Sequence, residues 1–201
     1  MGTGAEASST KGAQTRRAIL DAAIARFGRE GYRATSVADI ARDASVGGTV
    51  AYAYFPSKEA LFFAAVDEDA AGVIHEGLST AFVETTVPNW WQTLIVTLVE
   101  ALERHPLARR LLAGLEPDVT GRVLEMPALA ELRKACAEQL RIEQVEGSVR
   151  TDIDLVPMAN GIIALMLSLL MSVVQVGGDA ASLYSDDIAS VFEAAIRRLP
   201  D

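Results

Sequence analysis

Residues 15–61 constrain the fold most, because they contain three short amphipathic helical patterns separated by turn signals. The first helix is predicted at about residues 15–30, with Gly31 as its C-cap. A third helix, at about residues 48–54, follows the second after only the turn at residues 44–46. This spacing is typical of a helix-turn-helix, in which the later helix enters the major groove of DNA.

Charge is divided unevenly along the chain, whose overall net charge is −9. Residues 1–58 contain eight Lys or Arg against five acids, a net of +3, whereas residues 59–201 contain ten against twenty-two, a net of −12. A phosphate backbone attracts the basic part and repels the acidic part. The acidic part also has a simpler explanation, since surface acids keep a protein soluble.

The rest of the chain is predicted to be helical as well, with helices that open at prolines 88, 106 and 127. No alternation of strand length competes with these patterns. The predicted fold class is all-α. The N-terminal part is a three-helix DNA-binding head with a helix-turn-helix, and the C-terminal part is a helical bundle.

One segment has the length of a membrane span, because residues 158–176 are nineteen residues without a charge. However, Asn160 and Gln175 lie within it and acids flank both ends, which disfavours an anchor. We therefore predict a buried helix that also serves dimerisation, and no membrane partner. A single cysteine and an N-terminus without an apolar signal region favour the cytoplasm.

Enzyme signatures are missing from the sequence. It contains no nucleophile elbow, no zinc-protease motif, no P-loop and no dinucleotide fingerprint. Its two histidines and one cysteine are widely separated. The sequence therefore predicts a protein that is not an enzyme, and it predicts no cofactor and no metal.

Residues 34–37 and 55–61, together with the patterns at residues 19–32 and 39–41, closely resemble the TetR family of bacterial transcriptional regulators. The resemblance implies a homodimer that represses transcription from a palindromic operator. It also implies a C-terminal domain that binds a small-molecule effector and thereby releases the DNA. The expected domains are a flexible arm at 1–14, the helix-turn-helix domain at 15–62 and a ligand-binding and dimerisation domain at 63–201.

The resemblance also implies which residues contact DNA. Those expected to face the bases are Gly47, Gly48, Thr49, Val50 and Ala53, and those expected to hold phosphates are Thr35, Tyr52, Tyr54 and Lys58. Hydroxyls and an ammonium near helix N-termini suit phosphate oxygens.

Three departures from the family pattern affect the prediction. Ser45 stands where the turn usually has glycine, so that a left-handed conformation there costs about 1 kcal/mol unless another geometry avoids it. Two glycines replace polar residues at the start of the third helix, and Ala53 replaces an aromatic residue. The reading face then has little hydrogen-bonding capacity beyond Thr49.

We therefore expect specificity to come from contacts of Val50, Ala53 and the Thr49 methyl with thymine methyls, and from DNA shape. Two interpretations of the glycines stay open: they allow close approach of the backbone to DNA, or they are simply a tolerable start of a helix. The alternative function is a TetR-like helical ligand-binding or scaffold dimer without specific DNA recognition.

Candidate effector and interface residues complete the predictions. The candidate pocket residues are Phe82, Trp90, Trp91, Met126, Met166 and Met171, with His75, His105, Asn160 and Gln175 as polar partners, although core packing explains most of them equally well. The candidate dimer interface consists of Leu167, Leu170, Val174, Val191 and Ala195. The acidic body suggests a neutral or cationic effector.

Overall fold

A computed structural model describes residues 3–82, 90–121, 125–177, 187 and 190–197 of the protein. Within these residues the fold is all-α, as predicted, with no strand. The helices are α1 (Thr3–Ala34), α2 (Val37–Asp43), α3 (Gly48–Tyr54), α4 (Lys58–Ala81), α5 (Trp90–Ala101), α6 (Pro106–Leu112), α7 (Pro117–Thr120), α8 (Pro127–Val145) and α9 (Leu155–Val176). Residues 190–196 are also helical.

The first helix is longer than the sequence analysis predicts. It begins at Thr3, whereas an arm was expected over residues 1–14. Residues 5–14 include Ala, Lys and Gln, which favour helix, and they contain no proline, so nothing ends the helix on that side. The predicted stop at Gly31 is confirmed, since this residue breaks the helix with φ 82° and ψ 170°.

The head, formed by α1–α3 and the first turns of α4, has an aromatic centre. The rings of Phe27 and Phe62 meet edge to face with centroids 4.9 Å apart, and Tyr32 lies 4.9 Å from Phe62. Ser57 caps α4 as predicted, because its hydroxyl accepts the N–H of Ala60 at 3.0 Å. The core of the head therefore extends into α4, which continues into the body.

The body packs α4, α5, α6, α8 and α9 around apolar stripes. The adjacent Trp90 and Trp91 are both buried, and they pack in different directions, on Phe82 and on Phe192. Cys136 lies on the buried stripe of α8, and burial raises the pKa of its thiol to about 12.

The turn between α2 and α3 has a strained residue. Val46 N–H donates to the carbonyl of Ala41 at 2.9 Å, which closes a Schellman motif with Ser45 in the left-handed region at φ 56°. The same arrangement closes α6 and α8, where Gly114 and Gly147 hold the left-handed position. Ser45 thus adopts the left-handed conformation instead of avoiding it, and its Cβ is the source of the strain.

Replacing Ser45 by glycine should raise the free energy of unfolding by about 0.5–1 kcal/mol, because the relief of strain exceeds the entropy that glycine adds to the unfolded chain. Urea denaturation measures the change. Ser45→Ala is the matched control, since it keeps the Cβ and should shift stability by less than about 0.5 kcal/mol. A glycine variant no more stable than the alanine variant would contradict the strain argument.

Candidate nucleic-acid interface and adjoining cavity

The helix-turn-helix exposes the reading face of α3. Ala51 is the one fully buried side chain in the helix, and it fixes α3 against the core of the head. The five residues predicted to face bases are all exposed at the N-terminal end or on the outer side of the helix: Gly47, Gly48, Thr49, Val50 and Ala53. The structure therefore brings them together on one surface.

The first turn of α3 has backbone N–H groups that no side chain caps. Gly47 is the N-cap residue and makes no side-chain cap hydrogen bond. A Cβ added at Gly48 would meet nothing within 4 Å, and one added at Gly47 would meet only Val50 Cγ2, at 3.8 Å. Neither glycine is required by packing within the chain, so both are free to serve contact with another molecule.

Lys58 and two tyrosines flank this surface. Tyr52 is 53% exposed, and Tyr54 is half-buried with its hydroxyl beside Gly12 of α1. The Lys58 ammonium lies 4.4 Å from the centre of the Tyr32 ring, at the N-terminus of α4. The contact of these three residues with phosphates stays a prediction.

The fourth residue predicted to hold a phosphate has a different environment. Thr35 is 3% exposed, and its hydroxyl donates to the carbonyl of Gly31 at 2.8 Å. The break in α1 leaves that carbonyl without a helical partner, and the Thr35 side chain satisfies it. The hydroxyl therefore holds the link between α1 and α2 together and does not face solvent.

Arg16 is a candidate that the sequence analysis missed. Its guanidinium lies 4.9 Å from the centre of the Phe55 ring, directly after α3. Several other basic side chains of the head are paired with acids. Arg26, for example, has its Nε 2.6 Å from Oδ2 of Asp43, and this hydrogen bond lowers the pKa of that carboxyl. Arg16 and Lys58 are instead held by aromatic rings, and the described residues show no ion pair for either. In the sequence, the two adjacent arginines at residues 16–17 were the signal that could have identified Arg16.

A buried carboxylate joins α4 to α6. Asp69 is 4% exposed, and its Oδ2 accepts the N–H groups of Leu107 and Ala108 at 2.9 and 2.8 Å. Its Oδ1 lies 2.9 Å from Nδ1 of His105, whose Nε2 lies 3.1 Å from Oε1 of Glu76. Asp69 therefore caps α6 from another helix. The signal in the sequence was an acid on the apolar stripe of α4.

Close glycine contacts hold α6 between the head and the body. A Cβ at Gly28 of α1 would lie 2.8 Å from Pro106 Cβ, and one at Gly72 of α4 would lie 2.3 Å from His105 Cε1. On the same side, Glu116 accepts the N–H of Tyr32 at 3.1 Å. Because α6 touches α1 so closely, a displacement of α6 must be transmitted to the head.

The inner side of α6 forms part of an apolar cavity of about 70 Å³ that is partly open to solvent. The lining residues come from α4, α5 and the residue after it, α6, the turn before α8, α8 and α9: Ala70, Val73, Ile74, Leu98, Leu102, Ala108, Leu111, Leu112, Met126, Leu129, Leu132, Ile163, Met166, Leu167 and Leu170. A lining made mainly of apolar side chains is typical of small-molecule sites.

The predicted pocket residues divide between this cavity and other places. Met126 and Met166 line the cavity, whereas the remaining four do not: Phe82, Trp90, Trp91 and Met171. Among the polar candidates, His105 belongs to the Asp69 cluster and Gln175 donates to the carbonyl of Leu112 at 2.8 Å. His75 lies in a neighbouring groove and Asn160 is exposed on α9.

The predicted interface residues also lie on two sides of the bundle. Leu167 and Leu170 line the cavity, and Val174 packs against the core, so these three face inward. Val191 is 58% exposed and lies with Ala195 along an outer groove. The exposed side of α9 carries Asn160, Ala164 and Ser168, spaced four residues apart. This spacing was the signal in the sequence for which side of α9 faces the core.

The comparisons with known proteins identify the head. The sequence model of the bacterial regulatory proteins of the tetR family matches residues 19–65. This segment is similar to the TetR family of bacterial regulatory proteins. The match covers α2 and α3 and the ends of the helices that hold them, so the TetR-family resemblance is confirmed where the exposed reading face lies. No curated protein sequence matches the chain.

The whole chain has the fold of TetR-family transcriptional regulators. A TetR-family protein from Mesorhizobium loti has a TM-score of 0.74 at 23% identity, covering 93% of this chain and 98% of its own. One from Chloroflexus aurantiacus has a TM-score of 0.72 at 23% identity, covering 94% and 100%. The repressor FadR of Thermus thermophilus, solved with lauroyl-CoA, has a TM-score of 0.62 at 25% identity, covering 92% and 97%.

Gly48→Ala should affect DNA affinity and folding stability differently. Stability should be unchanged or higher by up to about 1 kcal/mol, because the site is open and alanine favours helix. DNA affinity should fall at least about tenfold if the backbone approaches the bases closely. Fluorescence anisotropy on an operator selected from a random duplex library measures the affinity, and thermal unfolding measures the stability. Gly121→Ala, which is equally open, is the control, and unchanged affinity for Gly48→Ala would make this glycine a simple helix start.

Lys58→Ala should weaken binding to all DNA sequences to a similar extent, because an ammonium at a phosphate carries no sequence information. The slope of log affinity against log salt should become shallower by about one unit. Salt titrations on operator and on random DNA measure this. Lys134 is an exposed lysine of α8, and Lys134→Ala should leave the DNA affinity and the salt slope unchanged. A change in the preferred sequence would contradict the phosphate assignment of Lys58.

Proposed function

We propose that the protein is a ligand-responsive, sequence-specific DNA-binding transcriptional regulator, a homodimeric repressor that a small-molecule effector releases from a palindromic operator. The observation that carries the proposal is the position of α6. Its inner side lines the apolar cavity, and its N-terminus packs on α1 of the DNA-binding head. One helix therefore contacts both the proposed small-molecule site and the head that carries the proposed reading surface.

Recognition of DNA is proposed to rely on shape and on methyl contacts. The exposed face of α3 offers Val50, Ala53 and the Thr49 methyl, none of which can form a bidentate hydrogen bond with a base. Arg16 and Lys58 flank this face and supply the phosphate contacts that fix the register. We expect an operator with conserved A·T pairs where α3 lies.

Release by effector is proposed to act through α6. A ligand in the cavity presses on Ala108, Leu111 and Leu112, which are on the cavity side of that helix. The tight contact between Gly28 and Pro106 leaves α6 no room to move without moving α1. The two heads of a dimer would then leave the spacing that a palindrome requires.

Dimerisation is proposed to bury the outer side of α9. Among the described helices, α9 alone is long and apolar enough to cross a membrane, and 33% of its most apolar window is buried. Its outer side exposes Leu165 at 46%, with Gly161, Ala164 and Ser168 beside it. Small residues allow a second helix to approach closely, so a second subunit of a cytoplasmic protein can cover this face.

Leu165→Glu should separate the subunits without unfolding them, because the residue is exposed in the single chain and buried in the proposed dimer. Two charges per interface should weaken association at least about a hundredfold. Light scattering after gel filtration measures the mass, and circular dichroism checks the helices. Leu115→Glu, at 56% exposure in the turn after α6, is the control. Leu167 is unsuitable for this test because it lines the cavity.

Selection of bound sequences from a random duplex library at physiological salt tests the proposed function. A palindrome with half-sites about 34–36 Å apart is the expected result. Absence of enrichment, with weak binding and no preference, would favour the alternative, a helical ligand-binding or scaffold dimer. The observation that supports this alternative is that no side chain on α3 can form a bidentate hydrogen bond with a base.

A further inference from the structure

The wall of the cavity restricts which part of a ligand can enter it. All fifteen lining residues are Ala, Val, Ile, Leu or Met, and none has a side-chain N–H, O–H or carbonyl group. A hydroxyl or amide buried there would find no hydrogen-bond partner and would cost several kcal/mol, and a charge would cost more. The buried part of the ligand must therefore be hydrocarbon, with its polar group outside.

A groove between α4 and α8 lies beside the cavity. Ile74 lines both, and the α8 residues Ala128 and Glu131 of the groove are direct neighbours of the cavity residues Leu129 and Leu132. The residues that line this groove are Glu68, Ala71, Gly72, Ile74, His75, Leu78, Ala128 and Glu131. A polar group that leaves the cavity past Ile74 therefore lies beside these residues.

The charge of the groove is acidic. Glu68 is paired with Arg17, which compensates its charge. Glu131 is exposed, and the described residues show no ion pair for it. No Lys or Arg lines the groove, and His75 is its only other titratable residue. Glu131 therefore attracts a cationic group and repels an anionic one, in a body with a net charge of −12.

Building on the proposed function, we infer that the effector is a cationic amphiphile, with a hydrocarbon tail in the cavity and an amine or quaternary ammonium group beside Glu131. This differs in charge from lauroyl-CoA, the anionic thioester present in the Thermus FadR structure. The tail supplies affinity through burial, and Glu131 supplies the preference for the head group.

The test uses the full chain and three probes with the same tail: dodecyltrimethylammonium, dodecanol and laurate, each below its aggregation concentration. Calorimetry should give the tightest binding for the ammonium and the weakest for laurate. Removing one methylene from the tail should weaken binding about fourfold, because each methylene leaves water on binding. Equal affinity for the three head groups, or tightest binding of laurate, would overturn the inference.

Two variants locate the tail and the head group. Ala70→Leu adds carbon atoms at the cavity wall and should weaken all three probes at least tenfold, which separates binding in the cavity from adsorption of detergent. Glu131→Gln should weaken the ammonium about two- to fivefold and leave dodecanol unchanged. Glu138→Gln, two turns further along α8 and outside the groove, is the matched control. If Glu131→Gln lowered the affinity for dodecanol and for the ammonium probe equally, the proposed role of Glu131 would be overturned.

A gel-shift assay with the selected operator distinguishes this inference from the proposed function. If the ammonium probe binds the cavity and releases DNA, both are supported. Binding without release would support the ligand class and overturn the proposed response. Release by laurate or lauroyl-CoA, but not by the ammonium, would overturn the ligand class and leave the response intact.

Discussion

The buried carboxylate of Asp69 determines where α6 lies, and the arrangement of cavity and head depends on α6. A helix of seven residues cannot supply partners for its own first N–H groups, and its N-cap residue makes no side-chain cap hydrogen bond. Asp69 accepts two of these N–H groups from α4. Charge-assisted hydrogen bonds of this kind each contribute about 1.5–3 kcal/mol, and the buried carboxylate would be costly without them.

The basic side chains of the head fall into two groups: some form ion pairs that stabilise the fold, and others have no ion pair among the described residues. Arg26 is committed to Asp43 and holds α1 on α2. Arg16 and Lys58 lie on aromatic rings, which restrict their side chains without neutralising them. In the proposed complex with DNA, less conformational entropy is then lost when they contact phosphates, and the contact does not require an internal ion pair to break. In that complex the two residues compensate for the lack of side chains on α3 that form bidentate hydrogen bonds with bases.

The sequence predicted the head well because its signals are local. Caps such as Ser57, breakers such as Gly31 and apolar residues at helical spacing act within one turn, and the structure has each where it was expected. Signals that depend on two distant segments were not visible. No local rule joins Asp69 to α6 thirty-eight residues later. Leu167 and Leu170 were predicted at a dimer interface because their segment has no charge, although Asn160 and Ser168 mark the other side of α9 as the exposed one.

Cys136 gives the body a built-in reporter of its own opening. It is the single thiol in the chain, it is fully buried between α8 and the core, and its raised pKa keeps it protonated at neutral pH. Reaction with a thiol reagent requires the thiolate and access to solvent, and the closed bundle provides neither. The rate of labelling therefore follows the frequency with which α8 separates from its neighbours. A molecule that binds between those helices would lower the rate at which Cys136 is labelled, even without contacting its sulfur atom.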